Sequence, residues 1–250
     1  MSEHRVCAVV PTYDNPVTIR AVVERLRTHV ADVIVVDDGS GPEGRDAVAA
    51  LERDGLAITV RRARNGGKGA AVKTGLLAAK ERGFTHALQV DADGQHDLSD
   101  VPRFLEAARE APGALVLGSP VFDASAPRSR RVARRITAFW IRIETGGDAI
   151  GDAMCGFRVY PVDPAVAANA RGDAMDFDPE IAVRLVWKGI PVINLPTRVR
   201  YIGEDEGGVS HFRMFRDNVL ISWMHARLTF ARVMRRIFGR FFESTRALPG

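Results

Sequence analysis

The residues best suited to chemistry lie in "DADGQHD", Asp91 to Asp97, where three aspartates, a glutamine and a histidine follow an apolar run. Asp91 and Asp93 are two apart, so on an extended segment they share a side, about 7 Å apart at Cα. They can converge on a divalent cation only if the chain bends beyond them, and Gly94 permits the bend. Hard oxygen donors select Mg²⁺ or Mn²⁺, and Mg²⁺ commonly keeps water and completes its shell with substrate phosphate oxygens. Gln95 and His96 are available as further ligands or as supports. The competing explanation is an Asx-turn that starts the next helix, with Ser99 or Asp100 as an alternative cap.

Two other polar clusters have the same placement. "VDDGSG" ends an apolar run with Asp37 and Asp38, which could accept hydrogen bonds from a base or ribose, or could form only a β-turn before a helix. "RARNGGKGAAVKTG" is a glycine-rich turn leading into a helix, a form that can present backbone N–H groups to phosphate. It is not a P-loop, because Val72 precedes Lys73-Thr74 where that motif needs glycine. Arg64 and Lys68 are candidate phosphate or base contacts; a tight turn at Gly66-Gly67 is the plainer account.

The elements that must position these clusters alternate regularly. Short apolar runs ("VCAVVP", "DVIVVD", "LAITVRR", "FTHALQV", "ALVLGSP") alternate with helical patterns from Asn15 to Gly113. Such alternation predicts βαβ units and a parallel sheet. All three clusters then sit at carboxyl ends of strands, where open α/β sheets bind ligands. The second half is less regular. A basic helix is expected over "APRSRRVARRITAFWIRIETGG", a loop or short strand over "GDAMCGFRVYP", a helix over "FDPEIAVRLVWKG", and an extended segment split by Pro196 over "IPVINLPTRVRYIG". A long helical pattern fills Phe212 to Phe242, rich in arginine and aromatics.

The chain has 250 residues, 46% of them hydrophobic, and a net charge of +4, as expected of a globular protein with a real core. Only four of its 35 basic residues are lysine. Arginine suits phosphate, which it grips with a bidentate fork. The two cysteines, Cys7 and Cys155, form no metal-type spacing, and Cys7 reads as a buried free thiol. This usage fits a reducing, cytoplasmic compartment. No signal peptide is expected, and no apolar window reaches transmembrane length. Two segments combine arginines with apolar residues at helical spacing: Arg128–Ile143, and the tail with Trp223, Phe230 and Ile237 among Arg227, Arg232, Arg235, Arg236 and Arg240. Each could lie at an anionic membrane surface, on the inner face of the plasma membrane. Each could equally pack on the core with a solvated arginine face. Nucleic acid is not expected, because the α/β half lacks aromatic stacking platforms with basic neighbours.

The ordered set "VVPTYDN", "VIVVDDGSG", "RNGGKGAAVKTG", "QVDADGQHD" and "GDAMCGFRVY" resembles family 2 glycosyltransferases of the GT-A fold. The resemblance is greatest to the dolichyl-phosphate mannose synthase and polyprenyl-phosphate glycosyltransferase branch, and covers about residues 5 to 215. It implies an α/β GT-A domain over 1–215, a mostly parallel sheet flanked by helices. Residues 216–250 would form a C-terminal basic amphipathic helix. It implies a metal-dependent, inverting transfer of a hexose from a UDP- or GDP-sugar to a lipid-linked or other hydrophobic acceptor, polyprenyl phosphate among them. Residue by residue, Pro11 and Tyr13 match the first-strand motif near the nucleotide. Asp37 matches the acid that contacts the nucleoside, with Asp38 beside it, and Asn65, Gly67 and Lys68 match the loop around the nucleotide. Asp91, Asp93 and Gln95 match the metal and diphosphate site. Asp152 matches an acid proposed as base or acceptor-orienting group. Arg200 and Ser210 match a late phosphate-binding loop, with Arg198 an alternative to Arg200. The chain departs from the pattern at Gly94, Asp97, Pro120 and His211, and lacks the transmembrane segments of many relatives. A metal-dependent nucleotidyltransferase and a non-catalytic nucleotide-sugar binder are the rival classes.

Overall fold

The computed structural model describes residues 4–121, 128–199 and 214–246, with the side chains of 128–131, 214 and 238–246 excepted. Strands β1 (Val6–Thr12), β2 (Asp32–Asp37), β3 (Ile58–Arg61), β4 (His86–Gln89), β5 (Leu115–Val121), β6 (Arg158–Pro161) and β7 (Val192–Arg198) form one sheet. Their order is β3-β2-β1-β4-β6-β5-β7. Neighbours run parallel except at β6, which is antiparallel to β4 and β5.

The central strands are apolar on both faces because helices cover both. Alternate residues of β1 and β2 enter separate cores. Cys7, Val9, Ile34 and Val36 face α3 (Lys68–Glu81) and α7 (Phe177–Trp187). Ala8, Val10, Val33 and Val35 face α1 (Ile19–Arg27), α2 (Pro42–Arg53) and α4 (Val101–Glu110). Cys7 is fully buried, and burial pushes its thiol up to about 12.

Pro196 does not split the seventh strand. It pairs in register with Ser119, and β7 runs unbroken through it. Because β7 is an edge strand, it can spare an N–H at proline. The segment after Asp97 is a 3₁₀ turn, Leu98–Asp100, leading into α4, and Asp97 caps it by accepting from Ser99 N at 3.1 Å.

Helix α5 (Arg128–Thr145) and the 33-residue α8 (Met214–Arg246) lie against each other at the side of the domain, and the short α6 spans Val162–Ala167. Ile221, Met224 and Leu228 of α8 are buried. His225 Nδ1 lies 2.8 Å from Glu144 Oε1, and Arg227 reaches Glu180 at 3.0 Å. Arg232 donates to the Glu144 carbonyl at 2.7 Å, and Arg235 stacks over Trp187. Three tail arginines therefore face the protein. Large hydrophobics face outward instead: Phe215, Val219, Trp223, Phe230, Val233 and Ile237 are exposed. Arg216, Arg235 and Arg236 are exposed as well, so the outer side of α8 carries arginines together with apolar side chains. No helix among the described residues is long and apolar enough to cross a membrane.

Candidate active site

Strands β1, β2 and β3 end level with one another, Thr12 opposite Asp37 and Asp37 opposite Arg61. Their following loops are tied together by polar contacts. Asp14, held at φ 50°, donates its N–H to Ser40 Oγ at 2.9 Å and accepts from Gly41 N at 2.8 Å. Asp37 is buried; it accepts from Ser40 N at 2.8 Å, with Arg61 3.7 Å away. Asp38 accepts from Gly66 N at 3.1 Å and Gly67 N at 2.7 Å and pairs with Arg62 at 3.2 Å. Burial raises the Asp38 carboxyl above its ordinary pKa against the pull of these partners.

These bonds bear on the glycine loop. Two of its N–H groups are taken by Asp38, and Ala70 N donates to the Asp173 carbonyl at 3.0 Å. Those three groups are turned toward protein acceptors rather than presented to a phosphate. Gly67 has φ 101°, and a Cβ there would meet the Asp173 carbonyl oxygen at 2.4 Å, so only glycine fits. Asn65 is exposed at the loop's apex, Tyr13 is half-buried, and Pro11 is buried in β1 opposite Val36.

The fourth strand end carries Asp91. Its carboxylate lies 2.8 and 2.9 Å from the Lys68 ammonium at its two oxygens, and His96 Nε2 is 3.6 Å away. Beneath it is the Gly156 backbone, where an added Cβ would sit 2.3 Å from one carboxylate oxygen and 2.6 Å from the other. Burial opposes ionisation of Asp91, but the Lys68 charge, followed by His96, outweighs it and holds the carboxyl well below the usual range. Asp93 behaves in the opposite way. Burial, then the neighbouring Asp91 charge, raises it, although its Oδ1 accepts from Gln95 N at 3.0 Å. The Asx-turn and the acidic pair thus coexist at Asp93. Thr18 anchors this loop to α1 by donating to the Ala92 carbonyl at 2.6 Å. Between them a cleft of about 250 Å³ is lined by Val22, Val90, Asp91, His96 and Leu98.

The donor set fits Mg²⁺ or Mn²⁺ in kind. Asp91, Asp93 and Gln95 supply hard oxygens, and Asp91 Oδ1 is buried with no hydrogen-bond donor in good geometry. It does not form a closed cage: among the described residues, no three His, Cys, Asp or Glu side chains converge on one point. Substrate oxygens and water would have to supply the remainder.

Asp152 lies in the loop between α5 and β6, accepting from Met154 N at 2.8 Å and paired with Arg134 of α5. Arg198 is exposed at the end of β7. Arg200, Ser210 and His211 lie outside the described residues.

The sequence reading assigns no role to Asp178, and takes Arg134 only as part of a basic helix. Asp178 Oδ2 lies 3.0 Å from Lys68 Nζ, while Oδ1 accepts from Gln89 at 3.2 Å and lies 3.8 Å from Arg158. Tyr160 donates to Gln89 at 2.9 Å, so Gln89 does more than fill a strand position: it fixes Asp178. In "FDPE" these acids look like ordinary first-turn residues favoured by a helix dipole. Their burial, and the lysine 110 positions earlier, carry no local signal.

Comparison with known proteins bears on the family and the fold. The undecaprenyl-phosphate mannosyltransferase of Micrococcus luteus is 30% identical over 222 residues, covering 82% of this chain and 89% of its own. The polyprenol monophosphomannose synthase of Mycolicibacterium smegmatis is 28% identical over 206 residues, 77% of this chain and 76% of its own. Glucosyl-3-phosphoglycerate synthase from Mycobacterium tuberculosis, solved with Mn²⁺, uridine-diphosphate and phosphoglyceric acid, superposes with a TM-score of 0.68 at 17% identity. That likeness covers 92% of this chain and 79% of the other, and establishes the GT-A fold alone. The profile described as "Glycosyl transferase family 2" matches residues 7–165, more than half of the sequence, and the chain belongs to that family.

Proposed function

We propose that this family 2 enzyme moves a hexose from a UDP- or GDP-sugar to polyprenyl phosphate at an anionic membrane surface, with a divalent cation and inversion at the anomeric carbon. The observation that carries the reading is the pair Asp91 and Asp93 on the loop that continues β4, tied through Thr18 to the segment after β1 and through Lys68 to the start of α3. Breaking the bond from sugar to nucleoside diphosphate builds negative charge on the leaving group. A cation held by Asp91, Asp93 and Gln95 would stabilise that charge. Asp37 and Asp38 shape the nucleotide end of the cleft, Asp38 by holding the glycine loop. Pro11, Tyr13, Asn65, Gly67, Lys68 and Arg200 complete the donor site in this reading.

Asp152 orients the acceptor or takes its proton. A lipid phosphate arrives largely ionised, its second pKa being about 6, and needs less help from a base than a hydroxyl does. Arg134, paired with Asp152, puts a cation where such a phosphate would come. Support for the membrane comes from the same helix. Val132, Ile136, Phe139, Trp140 and Ile143 of α5 are exposed, and α8 adds Phe215, Val219, Trp223, Phe230, Val233 and Ile237. With Arg135, Arg142 and Arg236 among them, these residues suit shallow insertion among anionic headgroups. The relatives' printed names, an undecaprenyl-phosphate mannosyltransferase and a polyprenol monophosphomannose synthase, support the acceptor class.

The test is a thermal-shift screen of UDP- and GDP-sugars with and without Mn²⁺, followed by transfer assays on polyprenyl phosphate in vesicles. Bound donor raises apparent stability by mass action. A metal-dependent shift with one donor, and transfer of its sugar to the lipid, is the expected result. No shift with any sugar nucleotide would end the reading.

A further inference from the structure

Lys68 stands where a metal site would be expected to repel it. Its ammonium touches both oxygens of Asp91, the first carboxylate of the D-x-D pair, and one oxygen of Asp178. It does not reach out to solvent, its side chain being 17% exposed. Asp178 is in turn fixed by Gln89 and by Arg158, which is fully buried. The two carboxylates that Lys68 touches, Asp91 and Asp178, are thus matched by Lys68 and Arg158, with Asp93 and His96 beside them.

This balance has a consequence for a divalent ion. A bare cation approaching Asp91 finds the carboxylate already neutralised and an ammonium within a few ångströms, in surroundings where charges are weakly screened. A nucleoside diphosphate brings enough negative charge to reverse that balance. We propose that Lys68, anchored by Asp178, is a resident counter-cation that keeps bare divalent ions off the D-x-D pair, so that the metal enters together with the donor's diphosphate. The proposal rests on reading Asp91 and Asp93 as the metal and diphosphate site. It makes Asp178 a positioning residue that acts through Lys68.

Calorimetric titration of the full chain with Mn²⁺ alone, and again with UDP or GDP, tests it. Wild type should bind Mn²⁺ alone weakly, roughly tenfold or more below its affinity when nucleotide is present. Lys68→Met should tighten binding of Mn²⁺ alone by roughly tenfold and shrink the gain from nucleotide. Lys68→Arg, which keeps the charge, should retain the wild-type ratio. Asp178→Asn leaves Lys68 wholly to Asp91 and adds net positive charge, so Mn²⁺ alone should bind more weakly. A folded Lys68→Met that binds Mn²⁺ alone no better than wild type would overturn the proposal. If that variant does not fold, Asp178→Asn decides: weaker binding supports the proposal, and unchanged or tighter binding overturns it. A merely structural ion network would lower the melting temperature of these variants without this opposite pair of metal effects. Absence of Mn²⁺ binding in every form, with nucleotide present, would remove the site reading itself and the proposal with it.

Discussion

Gly156→Ala is the sharpest probe of the Asp91 site. The glycine has no unusual backbone angle, so alanine brings no conformational strain and even restricts the unfolded chain, by about 0.4–1 kcal/mol. The difficulty is steric and local. The new Cβ would sit 2.3 and 2.6 Å from the two Asp91 oxygens, where about 3 Å is the floor for such contacts. One oxygen must therefore retreat by about 0.7 Å. The carboxylate is held by Lys68 at 2.8 and 2.9 Å, so the retreat either stretches those contacts or compresses them. Misplacement of a reacting-site group by about 1 Å can cost about 100-fold in rate. We expect kcat/KM to fall roughly 100-fold, with the melting temperature within a few degrees of wild type. Steady-state kinetics on sugar nucleotide and lipid phosphate, beside a thermal melt, measure both. Full turnover would show that Asp91 need not hold its position, and unfolding would show that the change is not local.

Other outcomes follow from the same geometry. Asp93→Asn should cut metal-dependent transfer by roughly 100-fold or more, and full turnover of that variant in EDTA would dismiss the metal role. Asp152→Asn separates acceptor types: a small loss of rate fits a phosphate acceptor, and a large one fits a hydroxyl. Glu180 is buried and holds Arg184, Arg227 and Gly172 N, so Glu180→Gln should cost about 3 kcal/mol near neutral pH. Burial opposes its ionisation but these partners prevail, so its folded pKa lies below the ordinary 4.5. A carboxyl lowered by folding stabilises above its unfolded pKa and loses that contribution as pH falls through the folded value. The gap between wild type and Glu180→Gln in melts should hold at neutral pH and close below pH 4.5. Replacing exposed Trp223 and Phe230 by serine should weaken co-sedimentation with anionic vesicles by about tenfold each; unchanged binding would take the bilayer off this face.

The β/α half was readable for a physical reason. Strands buried on both faces must be apolar throughout, and the residues that interrupt them at their carboxyl ends fall by topology at one edge of the sheet. Asp37, Asp38 and Asp91 could be placed that way, without any knowledge of their partners. The antiparallel β6 was not readable, because its place between β4 and β5 depends on a long connection that leaves no periodic trace. Nor was Lys68, whose partner Asp178 lies on another helix: a buried ion pair is chosen in three dimensions, and each half resembles a surface charge in one. Pro196 misled because its cost depends on whether a strand has one neighbour or two. Which of the tail's arginines turn inward was not readable either, because a guanidinium on a long stem can bond inward as readily as it can meet water.

Helix α5 joins two environments through a single rotation angle. Thr137, Ile141 and Glu144 are turned into the protein on the side from which Arg134 reaches Asp152, while Val132, Ile136, Phe139 and Ile143 are turned out. Each residue advances an α-helix by about 100°. One residue inserted between Arg134 and Ile136 would leave Val132 and Arg134 in place and turn everything after them by that angle, carrying Ile136, Phe139 and Ile143 away from the outer face and Thr137, Ile141 and Glu144 out of the core. Composition, charge and mean hydropathy would scarcely change. The segment should therefore tolerate many exchanges of one apolar residue for another, and almost no change of length.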